Sequence, residues 1–300
     1  MSAKKKATVS LVLGSGGARG LAHIGVIHEL QDHGYEIRSI SGCSMGALIG
    51  GVFAAGKLDD FERWICAIKK MDIIKLLDIS WGKDGLVKGE KIISSLIDLV
   101  GDKVIEELPI PFTAVAADVK NEKEIWINSG RLFDAIRASI SLPLFFTPVK
   151  YKQVYLIDGG VLNPVPIAPT FNDNTDITIA VNLGGPPEEK DEIIEDNPPS
   201  EPKLSPLSQK IDRFVNEMRN SVKGGGEKGW GVYDVANEAF DAMQSTIARQ
   251  KLAAYPPDIA IEISRSACGT LEFDRASQMI ELGRRKAQDK LSQVRNHGRA

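Results

Sequence analysis

Histidine is scarce in this chain: His23, His28, His33 and His297 are the only four among 300 residues. The first three are spaced five apart on one helical stretch, about 140° from one another on a helical wheel. They form no cluster and are expected as partly exposed helix residues. His297 stands three residues from the end in a polar tail, a poor place to hold an imidazole within hydrogen-bond reach of a partner. This scatter provides no metal-ligand pattern, and neither a metal nor a cofactor is expected. Cysteine is equally sparse. Cys43, Cys66 and Cys268 are odd in number and widely separated, which excludes a disulfide framework and a zinc site. They read as reduced thiols of a cytoplasmic chain. No apolar run approaches the ~20 residues that span a bilayer. A net charge of −3 provides no clustered basic surface for nucleic acid. The start, MSAKKKATVSLVLGSGG, imitates a signal peptide, but its short apolar stretch is interrupted by Ser10 and runs into glycines. It reads as a buried strand entering a loop.

What is present is an ordered alternation. Residues 7–13 (ATVSLVL) make an apolar run of strand length, followed by the glycine cluster GSGGARG at 14–20. Leu21, Ile24, Ile27 and Leu30 then recur at helical intervals, with Gly34 as the helix stop. A second strand, EIRSIS, leads to Ser44, and ALIGGVFAAG continues as a helix apolar nearly all round. Gly50 and Gly51 in mid-helix cost about 1 kcal/mol each relative to alanine, so close packing against a sheet is expected to offset them. Further strands are predicted at 111–119, 123–128, around KQVYLIDGG, at 176–184 and at 258–263. Helices are predicted over RLFDAIRASIS, over 233–255 and from Asp274. This order predicts a three-layer α/β/α fold with a mostly parallel central sheet. Residues 186–206 hold six of the chain's 15 prolines and seven acids against two lysines, which leaves the remaining chain close to neutral. With the GGGEKGWG stretch that follows the apolar stripe at 211–222, residues 186–231 read as a mobile acidic, proline-rich insertion and hinge. A single domain is expected, with a core over about 7–185 and a C-terminal strand and helix within about 256–295.

Chemistry concentrates at two turns. GCSMG at 42–46 has the G-x-S-x-G spacing of a serine pushed out at a sharp strand-to-helix bend, with Gly42 and Gly46 small where backbones approach closely. On the pentapeptide alone, a helix-capping serine is as good a reading. The GSGGARG loop can present several N–H groups to a developing oxyanion. A nucleotide cradle fits less well: Arg19 stands where G-x-G-x-x-G needs its last glycine, and G-K-[S/T] is absent. With no histidine placed as a base, a carboxylate must serve. The strand YLIDGG ends in Asp158, followed by Gly159 and Gly160, and is expected to bring the acid to the C-terminal edge of the parallel sheet. A turn aspartate is the competing reading. Asp118 is the rival carboxylate, although its Val-Lys-Asn context favours a turn.

Together, GSGGARG (14–20), GCSMG (42–46), RASISLPLFFTPV (137–149) and DGGVLNPVP (158–166) closely resemble the patatin-like phospholipases. The likeness extends through DISWGKDGLVKGEK (78–91) and the late LEFDRAS…ELGRRKA segment. The resemblance implies a Ser-Asp dyad, with Ser44 as nucleophile and Asp158 as general base. It implies an oxyanion hole from the backbone of Gly16, Gly17 and Ala18, with Arg19 fixing the loop and Gly14, Gly20, Gly42, Gly46, Gly159 and Gly160 as supporting positions. Ser15 departs from the pattern, standing where many members have a further glycine. The implied substrate is a phospholipid or other acyl ester, met in the cytoplasm or peripherally at a membrane. Two further readings remain: a carboxylesterase or acyltransferase acting on soluble esters, and a non-catalytic lipid-binding regulator. Residues 61–81, rich in large apolar side chains including Trp64 and Trp81, fit an acyl channel, a membrane surface or a buried cap helix. Arg137 fits either an anionic head group or an internal ion pair.

Overall fold

The computed structural model describes residues 6–68, 72, 87–187 and 232–297. Its centre is a sheet in which β1 (Thr8–Leu13), β2 (Glu36–Cys43), β3 (Phe112–Asp118), β7 (Ile177–Gly185) and β8 (Ile259–Ser264) run parallel in the order β3-β2-β1-β7-β8. The apolar run at 8–13 serves two faces at once. Val9, Leu11 and Leu13 enter the larger core, whereas Val12 enters a smaller one with Val165, Ile167, Ala180 and Ala248. Strands buried on both faces need near-continuous apolar sequence, which is why β1 and β7 show little alternation. Helices α1 (Ala22–Asp32), α2 (Met45–Ala54) and α7 (Ala276–His297) join the larger core; α6 (Val232–Ala254) covers the smaller. The predicted three-layer arrangement with a mostly parallel sheet is the one observed.

The predicted elements at 111–119 and 123–128 form a hairpin, β3 against antiparallel β4 (Lys123–Ile127). β5 (Val149–Tyr151) pairs antiparallel with β6 (Val154–Asp158). The expectation that Asp158 ends a parallel strand is corrected: β6 runs antiparallel to β3. The register explains how the acid still reaches the right place. β4 occupies one edge of β3 at Ala114 through Asp118, so β2 and β6 must share the other. Cys43, the last residue of β2, lies opposite Val115, and Asp158, the last residue of β6, lies opposite Ala116. The two strands therefore meet C-terminus to C-terminus along one edge of β3.

Helices α3 (Leu58–Ala67) and α5 (Leu132–Ser139) pack on α2, and α4 (Glu90–Val100) packs on α3 and α5. Gly50 packs on the sheet as expected, a Cβ there lying 2.8 Å from Ile40 Cγ2 on β2, whereas Gly51 mainly faces a helix, where a Cβ would lie 3.0 Å from Ile136 and Leu132 of α5. The tightest helix contact is between α1 and α7, where a Cβ at Gly25 would lie 1.8 Å from the Ile280 carbonyl oxygen. Gly34 has φ +80° directly after α1, as a helix stop does. The acidic stretch from 188, the 211–222 stripe and Trp81 lie outside the described residues. Among the described residues no helix is long and apolar enough to cross a membrane.

Gly25→Ala drives a side chain into backbone that cannot rotate away, whereas Gly50→Ala meets the end of an isoleucine. We expect Gly25→Ala to cost about 1–3 kcal/mol and Gly50→Ala clearly less. Urea unfolding midpoints of the two variants test this order.

Candidate active site

Ser44 follows β2 directly and opens α2, with φ 55° and ψ −122°. A non-glycine residue held there costs about 1–3 kcal/mol, so the surrounding structure must enforce it. The enforcement is close packing by the small residues of the pentapeptide. A Cβ at Gly42 would lie 2.4 Å from the Gly46 carbonyl oxygen, and one at Gly46 would lie 2.0 Å from that of Leu13. The Ser44 carbonyl accepts from the Ala47 and Leu48 N–H groups, starting α2, but its side chain makes no cap hydrogen bond. That removes the helix-capping reading. Instead Ser44 Oγ donates to Asp158 Oδ2 at 2.5 Å.

Asp158 is wholly buried. Its other oxygen, Oδ1, accepts from the Gly160 N–H at 2.7 Å, and its own N–H donates to the Ser141 carbonyl. Burial pushes its pKa up from 3.8 to about 6, opposed by the hydrogen bonds from Ser44 and Gly160. Cys43 Sγ lies 4.0 Å from Oδ1, and burial holds that thiol well above its ordinary range. The glycines after the acid allow the close turn: a Cβ at Gly159 would lie 2.2 Å from the Val115 carbonyl oxygen.

The end of α5 ties both groups down. Ser139 Oγ accepts from the Ser44 N–H at 2.9 Å and donates to the Val115 carbonyl at 2.6 Å. Ser141, two residues on, holds the Asp158 backbone. The quoted RASIS motif contains both serines, yet nothing in the sequence alone assigned them a task. Arg137, half-buried, makes no ion pair with a carboxylate among the described residues. It donates to the carbonyls of Lys88 and Thr147 and to Ser141 Oγ, bracing the loop that carries Phe145 and Phe146. Asp118 accepts from the Asn121 N–H and side chain, the turn role its context suggested.

In the glycine loop, Gly17 has φ +56°, a conformation that suits glycine, and lines the same cavity as Ser44. The N–H groups of Gly16 and Gly17 have no acceptor among the described residues, whereas the Ala18 N–H donates to the Thr270 carbonyl at 2.9 Å. Arg19 is buried and anchors the loop at both ends: Nη1 donates to the Arg265 carbonyl and Nη2 pairs with Asp241. A Cβ at Gly20 would lie 2.3 Å from Met45 Cβ, pressing this loop onto the serine elbow. The Gly14 N–H donates to the Val181 carbonyl.

His23 corrects the expectation of partly exposed histidines. It is fully buried, its Nε2–H donates to the Gly14 carbonyl at 2.8 Å, and burial lowers its pKa to about 4. It is thus neutral at pH 7 and supports the glycine loop. No sequence signal separated it from His28 and His33, which pair with Glu62 and Glu29. The ligand atoms of His28, Asp59 and Glu62 lie within 4.8 Å of one another. The His28–Glu62 hydrogen bond of 2.6 Å between α1 and α3 accounts for that grouping. The three cysteines are free, as expected.

A cavity of about 120 Å³ reaches Ser44, with walls that include Leu48, Phe61, Trp64, Ile65, Leu96 and Phe146. The first part of the 61–81 stretch thus lines a cavity against the serine, with Phe61 and Ile65 buried. The arrangement offers a hydroxyl hydrogen-bonded to a buried carboxylate, two unengaged backbone N–H groups on a neighbouring loop, and an apolar chamber beside them.

Comparison with known proteins points the same way. The profile of the patatin-like phospholipase family matches residues 11–171. An uncharacterized NTE family protein of Mycobacterium tuberculosis is 38% identical over 320 residues, covering 92% of this chain and 89% of that protein. The lysophospholipase NTE1 of Debaryomyces hansenii is 29% identical over 185 residues, 59% of this chain but 12% of that protein. Among solved structures, VipD from Legionella pneumophila matches with a TM-score of 0.50 at 15% identity, covering 97% of this chain and 68% of that one. At that identity the likeness is one of fold alone.

The raised Asp158 pKa is a statement about stability. The folded chain binds this proton more tightly than the unfolded chain, so the stabilisation is complete below about pH 4 and is lost as pH rises through about 6. Above that, the buried charge costs about 3 kcal/mol. We expect Asp158→Asn to be more stable than wild type at pH 8, with the gap closing at pH 4. Denaturant unfolding of both proteins at the two pH values measures this.

Proposed function

The chain belongs to the patatin-like phospholipase family, and from that premise we propose that it is a serine lipid acyl hydrolase. Its substrates on this reading are acyl esters of phospholipids or lysophospholipids. The observation that carries it is the 2.5 Å hydrogen bond from Ser44 Oγ to the buried Asp158. A free aspartate is a feeble base for a hydroxyl; one whose pKa is raised to about 6 is better matched and still ionised at neutral pH.

In this mechanism the Ser44 oxygen attacks the ester carbonyl while Asp158 takes its proton. The N–H groups of Gly16 and Gly17 receive the oxyanion, a contribution worth about 10²–10³ per donor. The Ala18 N–H and the Arg19 side chain hold the loop in place. Asp158 then protonates the leaving alcohol as the tetrahedral intermediate collapses to an acyl-enzyme. Finally it takes a proton from water, which attacks the acyl carbonyl, and returns that proton to Ser44 as the fatty acid leaves. The apolar cavity receives the acyl chain, which favours lipid esters over short soluble ones. The relative named a lysophospholipase makes lysophospholipids a first choice of substrate. A cytoplasmic enzyme reaching its lipid at the membrane surface fits this chemistry.

Hydrolysis of p-nitrophenyl butyrate, a phospholipid and a lysophospholipid by wild type, Ser44→Ala and Asp158→Asn tests the assignment. Each substitution is expected to lower kcat by about 10³ or more, and a fluorophosphonate probe is expected to label wild type but not Ser44→Ala. Wild-type kcat/KM is expected to rise with pH through about 6 as Asp158 ionises. Full activity in Ser44→Ala overturns the reading. Turnover of butyrate esters with none of phospholipid or lysophospholipid assigns a general carboxylesterase instead.

A further inference from the structure

The glycine loop and the acid turn come from distant parts of the sequence, and a single side chain touches both. Gln244 on α6 is buried, 8% exposed, and its Nε2 donates to Ser15 Oγ at 3.3 Å. Its amide nitrogen also lies close against Gly160: a Cβ there would fall 2.2 Å from Gln244 Nε2 and 2.7 Å from Ser15 Oγ. Gly160 is the residue whose N–H holds Asp158 Oδ1. Ser15 is in turn fixed by its own N–H, which donates to the Pro164 carbonyl just beyond the acid turn. One helical turn earlier on α6, Asp241 pairs with Arg19 from the same glycine loop.

We propose that Gln244 is a positioning residue, which through Ser15 and Gly160 sets the glycine loop and the acid turn at a fixed spacing on either side of the reacting serine. The inference rests on the Ser44–Asp158 reading. It gives Ser15 a task. Its side chain carries the hydroxyl that receives the Gln244 amide. It also gives Gly160 two tasks, since its bare Cα admits that amide while its N–H orients the carboxylate. Removing the amide leaves the Ser15 hydroxyl without its buried donor and lets the Gly160 turn relax. Effective catalysis depends on sub-ångström placement of such groups, so the loss falls on the chemical step and not on substrate capture.

The test uses the full chain with p-nitrophenyl butyrate as probe and compares Gln244→Leu, Ser15→Ala and the double variant. Each single substitution is expected to lower kcat about tenfold or more with KM within about twofold. The double variant is expected to lose no more than the worse single one, because the two groups act as one contact. The ascending limb of the pH profile is expected to move above its wild-type position in Gln244→Leu, because Asp158 loses part of the Gly160 hydrogen bond. A merely structural role predicts none of that movement. Should Gln244→Leu fail to fold, Ser15→Gly removes the same hydroxyl without adding bulk and is expected to show the same kcat loss and pH movement. Wild-type kcat and an unmoved profile in the Ser15 variants, with Ser44→Ala inactive, overturn the positioning role alone. Activity in Ser44→Ala overturns the underlying reading.

Discussion

A carboxylate with no solvent exposure sits between a serine hydroxyl and a backbone N–H, and much of the architecture exists to keep it there. Taking an ionised acid out of water is unfavourable unless hydrogen bonds replace the lost solvent. Asp158 has two short ones, Ser44 Oγ on one oxygen and the Gly160 N–H on the other, with the Cys43 thiol a long third at 4.0 Å. The balance is incomplete, as the pKa of about 6 records. That residual imbalance makes the acid costly to the fold at neutral pH. On the proposed function, stability is given up at the place where the chemistry would need a proton acceptor, a common feature of active sites.

The sheet makes this juxtaposition possible by bringing two strands head to head. Because β4 occupies the outer edge of β3, β2 and β6 have only the inner edge, and their last residues lie opposite consecutive positions, Val115 and Ala116. Ser139 then links the Ser44 backbone to Val115, while Ser141 holds the Asp158 backbone. The glycines follow from the same crowding. Gly42, Gly46, Gly159 and Gly160 stand where a methyl group would meet backbone or a buried amide at 2.0–2.4 Å. Their pattern in the sequence records how closely three strands and a helix start converge.

Around this centre, the supporting contacts are polar and buried. His23 holds the Gly14 carbonyl as a neutral ring, Arg19 spans from Arg265 to Asp241, and Arg137 binds carbonyls of the cavity-lining loop. None of these is an exposed ion pair of small worth. His23 and Arg19 are already withdrawn from water, so their partners are costly to remove, while Arg137 is half-buried. On the other side of the serine the chamber is almost purely apolar, which suits the family's lipid acyl esters.

Sequence alone determined the alternation of strands and helices, because a sheet buried on both faces demands apolar runs and strand-to-helix bends demand glycine. It also marked the glycines around residues 14–20, 42–46 and 159–160, whose type is set by backbone sterics, whereas Ser44 and Asp158 stood out from their capping and turn readings only through the joint resemblance of four ordered motifs to a known family. Tertiary structure decided everything that depends on which distant segments meet. The antiparallel direction of β6 follows from edge pairing that no local pattern encodes. The burial of His23, unlike that of His28 and His33 on the same helix, depends on its facing Gly14. The use of the Ala18 N–H on Thr270 and the meeting of Gln244 with Ser15, 229 residues apart, likewise arise from packing across the fold. A side chain's neighbours are fixed by the whole chain's closure, and its own few flanking residues carry no record of them.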